Sequence, residues 1–226
     1  GNIIDLTVNK VKSLDEKKRL ELLRRQLYVL WFYSNINISS RFNKDISTKT
    51  VKRSDGTSYK AWDVGKVENM RGMFTNSQFL QDIGNWNVGK VEDMSYMFYG
   101  SGIYHLGYES QGTNIKLDWD VSNVKYMNYM FAHSAYNVNI NDWNVSNVKN
   151  MSYMFYSSTV NNGEDMRQSN RPLLWNGTIT GNINGIFLNS FFNQSLDQLN
   201  ISVDKKIKNV WDCRINSFKE YEAESC

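Results

Sequence analysis

The stretch WNVGKVEDMSYMF, residues 86–98, decides how this chain is read, because it recurs. WDVGKVENMRGMF starts at Trp62, WDVSNVKYMNYMF at Trp119 and WNVSNVKNMSYMF at Trp143, all aligned without a gap. Two weaker copies keep the frame, WNGTITGNINGIF from Trp175 and LNISVDKKIKNVW from Leu199. Self-similarity at a fixed period marks a repeat architecture, in which one unit cannot bury its own apolar side and neighbours must stack. Six units are expected, starting near residues 62, 86, 119, 143, 175 and 199, with steps of 24, 33, 24, 32 and 24.

The linking stretches repeat too. An aromatic falls seventeen residues after the opening Trp at Phe79, Tyr136 and Phe192, and an aliphatic twenty-one after it at Ile83, Ile140 and Leu196. Phe42 and Ile46 keep the same separation and read as a half-unit ahead of the first full copy. Within a unit, Ile83, Trp86 and Val88 follow the pattern L-x-x-L-x-L, with Trp86 and Val88 alternating as on a short strand. Val91, Met94, Met97 and Phe98 then recur at spacings of three and four, a helical or helical-turn face. The expected fold is therefore an α/β repeat solenoid, leucine-rich-repeat-like, of about six strand–turn–helix units over 42–211. Met and Trp become core ladders: eight of the nine Met and five of the seven Trp stand at equivalent repeat positions.

The ends differ in kind. Ser13 and Glu16 form a capping box, and Leu20, Leu23, Leu27, Leu30 and Trp31 share one face at helical spacing. Residues 1–41 are thus expected to supply an N-terminal helical cap, and 212–226 a C-terminal cap or tail. A membrane-surface or partner-binding helix is the alternative for 13–33. Cys213 and Cys226 read either as a terminal disulfide or as two thiols.

The run FLQDIGNWNVGKVEDMSYMF, residues 79–98, resembles the BspA-like leucine-rich-repeat surface proteins, in particular their mycoplasma-type branch. Its units read roughly F-N-x-x-I-x-x-W-[DN]-V-S-N-V-x-x-M-x-x-M-F, and the likeness covers residues 42–211. Gly65 and Gly89 depart from it where Ser is usual, and the last two copies lose most of the Met. The resemblance implies a secreted or surface-anchored protein used for adhesion or other protein–protein contact, and no shared active site.

Composition limits other readings. A net charge of +3 on 226 residues is mild for nucleic-acid binding, and no apolar run is long enough to span a bilayer. Residues 1–20 are polar and charged, so no signal peptide is expected there. The two histidines, His105 and His133, leave little for a His-based site, and no recognised catalytic motif appears. No catalytic residue, metal or cofactor is expected. The 29 Asn, an excess, lie largely at recurring strand and turn positions.

Candidate binding residues follow from the frame. The residue between Trp and Val is Asp63, Asn87, Asp120, Asn144, Asn176 and Asn200, and the residue before Trp adds Asn85, Asp118 and Asp142. On a solenoid these form a polar strip on the strand face, either a hydrogen-bonding surface for a peptide, glycan or basic partner, or an Asx ladder satisfying adjacent backbone. A calcium site from Asp118, Asp120 and Asp142 is a third reading. Insertions before Trp62, Trp119 and Trp175 emerge on one edge, two units apart. The first holds Lys49, Lys52, Arg53 and Asp55, the second Tyr104, His105, Tyr108 and Glu109, the third Glu164, Asp165, Arg167 and Arg171. Tyr96, Tyr129 and Tyr153 form a further stripe, either packed laterally or facing a partner. The function expected is a non-enzymatic surface or secreted module binding a protein of a host or neighbouring cell. The alternatives are a cytoplasmic interaction protein, an effector or inhibitor on the same scaffold, and an enzyme with an unrecognised site.

Overall fold

The computed structural model describes residues 41–102, 115–164, 171–190, 192 and 194–202. The expected helix over 13–33, the tail 212–226 and the cysteine pair lie outside them.

The strand–turn–helix unit is corrected. Among the described residues no helix occurs, so the chain is not an α/β solenoid. Its four named strands are short: β1 is Lys49–Lys52, β2 Ser58–Ala61, β3 Thr178–Ile179 and β4 Asn200–Ile201. β1 and β2 pair antiparallel, β3 and β4 parallel, in two separate two-stranded sheets. The rest is a stack of turns joined unit to unit by single parallel bridges, Asn69 to Asp93 to Tyr126 to Asn150 to Asn182.

The backbone shows why spacings of three and four made no helix. In the second unit Met97, Tyr99 and Ser101 donate their N–H to carbonyls three residues back, at Met94, Tyr96 and Phe98. The intervening Met94, Tyr96, Phe98 and Gly100 donate instead to the next unit, at Tyr126, Asn128, Met130 and Ala132. An α-helix would need every N–H directed to its own chain four residues back. Half of the donors here leave the unit, so the segment is a ribbon of tight turns.

Left-handed residues set that ribbon. The tenth residue after the opening Trp has positive φ in five units, at Gly72, Tyr96, Tyr129, Tyr153 and Gly185. The fourteenth does too, at Asn76, Gly100, His133, Ser157 and Asn189. A left-handed residue every fourth position ends any helix before one turn is complete, while still returning apolar side chains to one side.

The core is the set of ladders those turns create. Phe74, Phe98, Phe131, Phe155 and Phe187 stack with centroids 5.2 to 5.8 Å apart and planes within 10°. Met94, Met97, Met127, Met130, Met151 and Met154 are fully buried beside them. Phe79, Tyr136 and Phe192, the aromatics seventeen residues on, close the same core, and the buried Tyr136 hydroxyl donates to the Gln81 carbonyl at 2.8 Å. Each buried Trp also ties two units together. The indole N–H donates to a carbonyl of the preceding unit, Trp86 to Ile46, Trp119 to Ile83, Trp143 to Leu117 and Trp175 to Ile140, at 2.8 to 3.1 Å. These bonds satisfy a carbonyl that burial would otherwise leave costly. Trp62, in the first full unit, is 49% exposed.

The insertions leave the frame intact. Met70 bonds to Asp93 across a short step and Met94 to Tyr126 across a long one, by the same donor and acceptor positions. The longer step therefore does not shift the register between units.

Candidate functional site

The polar strip is real as a surface. Asn85, Asn87, Asp118, Asp120, Asp142, Asn144 and Asn176 are all exposed, flanking the buried Trp86, Trp119, Trp143 and Trp175. Parallel neighbours repeat at about 4.8 Å, so the side chains of one column stand at that interval.

Most of these side chains are held by local backbone. Asp63, Asn87, Asp120 and Asn144 accept the N–H two residues on, from Gly65, Gly89, Ser122 and Ser146, at 3.0 to 3.2 Å. Ser122 and Ser146 add hydroxyl bonds at 2.6 and 2.7 Å. The Ser122 bonds hold the Asp120 carboxyl below the usual carboxylate range. The Asx-ladder reading thus describes the geometry, and it leaves one face of each carboxyl or amide toward solvent. Asn176 differs: its amide donates to the Asp142 carbonyl at 3.1 Å. Asn85 clamps Thr48, accepting its N–H at 3.2 Å and donating to its carbonyl at 2.9 Å.

The calcium reading meets a cation already in place. The Lys116 ammonium sits 2.7 Å from an Asp118 oxygen and 3.0 Å from an Asp142 oxygen. These bonds raise the Lys116 pKa, so the two carboxylates are bridged by a fixed positive charge. Among the described residues no group of three or more His, Cys, Asp or Glu is gathered to hold a metal ion.

Two parts of this surface were missed in the sequence. A second row of Asx turns runs seven residues after the Trp, where Asn69, Asp93, Asn150 and Asn182 accept N–H groups of Arg71, Ser95, Ser152 and Asn184. Asn123 and Asn147 reach across to the carbonyls of Gly89 and Ser122 at 2.6 and 2.7 Å. Part of the signal was available: Asn or Asp stands seven residues after the opening residue in four of the six units, against all six beside the Trp, and Asn stands four after it in only the third and fourth.

The insertions divide. The first forms the exposed hairpin β1–β2, closed by the Asp55–Gly56 turn. In the third, Arg171 is drawn into the body: it pairs with Glu164 at 2.6 Å and donates to the Asn162 carbonyl at 3.2 Å. Asn162 is fully buried and binds Ile140 N–H, the Asn141 side chain and the Arg171 carbonyl. Arg171 is thereby tied to Glu164 and the Asn162 backbone. Tyr104, His105, Tyr108 and Arg167 lie outside the described residues.

The tyrosine stripe packs laterally. Tyr96, Tyr129 and Tyr153 stack at 5.0 and 5.1 Å, with Arg71 over the Tyr96 ring at 4.8 Å. Beside them His133 is 8% exposed and meets Tyr99 and Tyr156 edge-on at 5.3 and 4.9 Å. Burial pushes the His133 imidazole down to about 4. Its unfolded value is near 6.5, so below that pH the unfolded chain binds the extra proton first and stability falls as pH drops to about 4. The full loss is up to about 3 kcal/mol, at about 1.4 kcal/mol per unit. His133→Asn, which copies Asn76 and Asn189 at the same left-handed position, is expected to remove this component. Urea unfolding at neutral pH and near pH 4 checks it; an unchanged pH dependence in the variant would reject the assignment.

A family model described as Mycoplasma protein of unknown function, DUF285, matches residues 31–114 and again 107–221. No curated protein and no solved structure matches the chain.

Proposed function

We propose a binding role without catalysis for this chain, which belongs to the family of Mycoplasma proteins of unknown function, DUF285. It serves adhesion or another protein–protein contact, from the cell surface or after secretion, and its partner is a protein of a host or neighbouring cell. The observation that carries the reading is the exposed column of Asn87, Asp120, Asn144 and Asn176, set at fixed spacing on a stack whose interior is filled by ladders. Side chains held in Asx turns lose little further freedom on binding, which favours recognition by hydrogen bonds. Two other charged groups singled out beside the column are absorbed structurally, Lys116 between its two carboxylates and Arg171 against Glu164.

The test uses the labelled full chain on intact cells, before and after trypsin treatment of those cells. Expected is uptake that trypsin abolishes, falling about tenfold in the double variant D120K/N144K, as when central contacts of an interface are replaced. Uptake that neither treatment changes would refute the reading.

A further inference from the structure

We infer that the hairpin β1–β2 is a docking finger for an extended acidic segment of a protein partner, an inference that rests on the binding role above and names the partner's chemistry. Residues 49–60 hold Lys49, Lys52, Arg53 and Lys60 against the single acid Asp55, an excess of three that equals the net charge of the whole chain. The remaining 214 residues are therefore balanced, and the positive excess is concentrated in one projection.

That projection is exposed on both faces. The register places Thr50 opposite Lys60 and Lys52 opposite Ser58, so one face is a patchwork of two ammonium groups and two hydroxyls. Lys49 is paired with Asp45 at 2.9 Å, and Arg53 lies over the Tyr59 ring at 4.7 Å. Among the described residues no carboxylate pairs with Lys52 or Lys60. The sheet has two strands, so each has an outer edge that pairs with no other named strand. An unpaired edge accepts an added strand through its main chain, while alternate side chains set specificity. An incoming strand with acids on one face would lie beside Lys52 when paired to β1 or beside Lys60 when paired to β2, with the second ammonium one strand further on the same face, and Tyr59, 43% exposed, adds apolar area on the other.

The tip argues for a peptide over a phosphate-bearing surface. Asp55 is fixed there, accepting the Thr57 N–H at 2.9 Å and its hydroxyl at 2.6 Å, bonds that keep the carboxyl ionised by lowering its pKa. A negative charge at the point of first approach, with polar Ser54 and Thr57 around it, opposes insertion among lipid headgroups or into a nucleic-acid groove. The base is firm: Asn85 holds Thr48 by two bonds, and the Thr48 hydroxyl donates to the Trp62 carbonyl at 2.9 Å.

The experiment measures fluorescence anisotropy of a labelled peptide of alternating Glu and Thr against the full chain. Expected is saturable binding that weakens about tenfold in K52E/K60E and also falls between about 50 and 300 mM salt, with the unfolding midpoint of the variant unchanged. Equal binding by the variant, or tighter binding to phosphatidylserine vesicles or duplex DNA than to the peptide, would overturn the inference. D120K/N144K separates the two readings. Peptide binding should survive in it while cell uptake falls: uptake undiminished in D120K/N144K overturns the column alone, and peptide binding undiminished in K52E/K60E, or lost in D120K/N144K, overturns the hairpin alone.

Discussion

Met94→Asp is expected to unfold the neighbouring units, whereas Asn87→Ala, seven residues away, should cost less than about 1 kcal/mol. Met94 is fully buried between its equivalents Met70 and Met127, and its N–H carries the bond to Tyr126 that joins two units. Removing its side chain alone would cost about 2 to 5 kcal/mol. The carboxylate adds a buried charge with no cation to pair it, a further cost of several kcal/mol. The total reaches the whole stability of an ordinary domain, about 5 to 15 kcal/mol. In a stack each unit is supported only by its neighbours, so the damage spreads along the array from that point. Asn87 is exposed and its one bond, to Gly89 N–H at 3.2 Å, lies at the surface. Urea unfolding followed by tryptophan fluorescence compares the two variants. A similar loss in both would contradict the assignment of inward and outward positions.

The sequence showed which residues are buried far better than it showed the backbone that buries them. Every fully aligned Trp, Val, Met and Phe of the second, third and fourth units is in the core, because apolar recurrence reports which side a residue faces. It does not report how the chain gets there. Val91, Met94, Met97 and Phe98 return to one side in a helix, and equally in a ribbon of turns with left-handed residues. The distinguishing signal lay in the alignment itself. Gly72 and Gly185 stand where other units have Tyr, and Gly100 stands where others have Asn76 and Asn189. Gly and Asn sharing a column mark a position that needs positive φ, which a helix excludes. The strip was legible for a related reason, since Asn and Asp beside each Trp are residues whose side chains close their own turns. Lys116 was not, because its bridge from Asp118 to Asp142 reaches a residue 26 positions on and depends on stacking.

Glycine columns carry the second large effect. Gly181→Val is expected to cost about 4 kcal/mol or more, at the upper end of overpacking, while Gly89→Ser should be neutral or stabilise by up to about 1 kcal/mol. At Gly181 an added Cβ would meet the Val148 carbonyl oxygen and also lie 2.9 Å from the Lys149 carbonyl carbon. Both contacts are with the backbone of the preceding unit, which cannot rotate away. That same stretch receives the Asn182 N–H at the Lys149 carbonyl, 2.9 Å, so separating the two chains breaks the rung. A branched side chain forces the separation, and the lost rung exposes the Trp175 and Ile183 layer beyond it. Gly89 is the opposite case. A Cβ there stands in ordinary contact, 3.4 Å from Asn87 Oδ1 and 3.5 Å from Asp120 Oδ2. Ser occupies the matching place in the third and fourth units, where Ser122 and Ser146 hydroxyls bond the Asx side chain two residues back. Gly89→Ser supplies that bond to Asn87 and narrows the unfolded ensemble at once. If thermal melts show the two substitutions shifting the midpoint alike, close approach of backbones between units is not what excludes a side chain at residue 181.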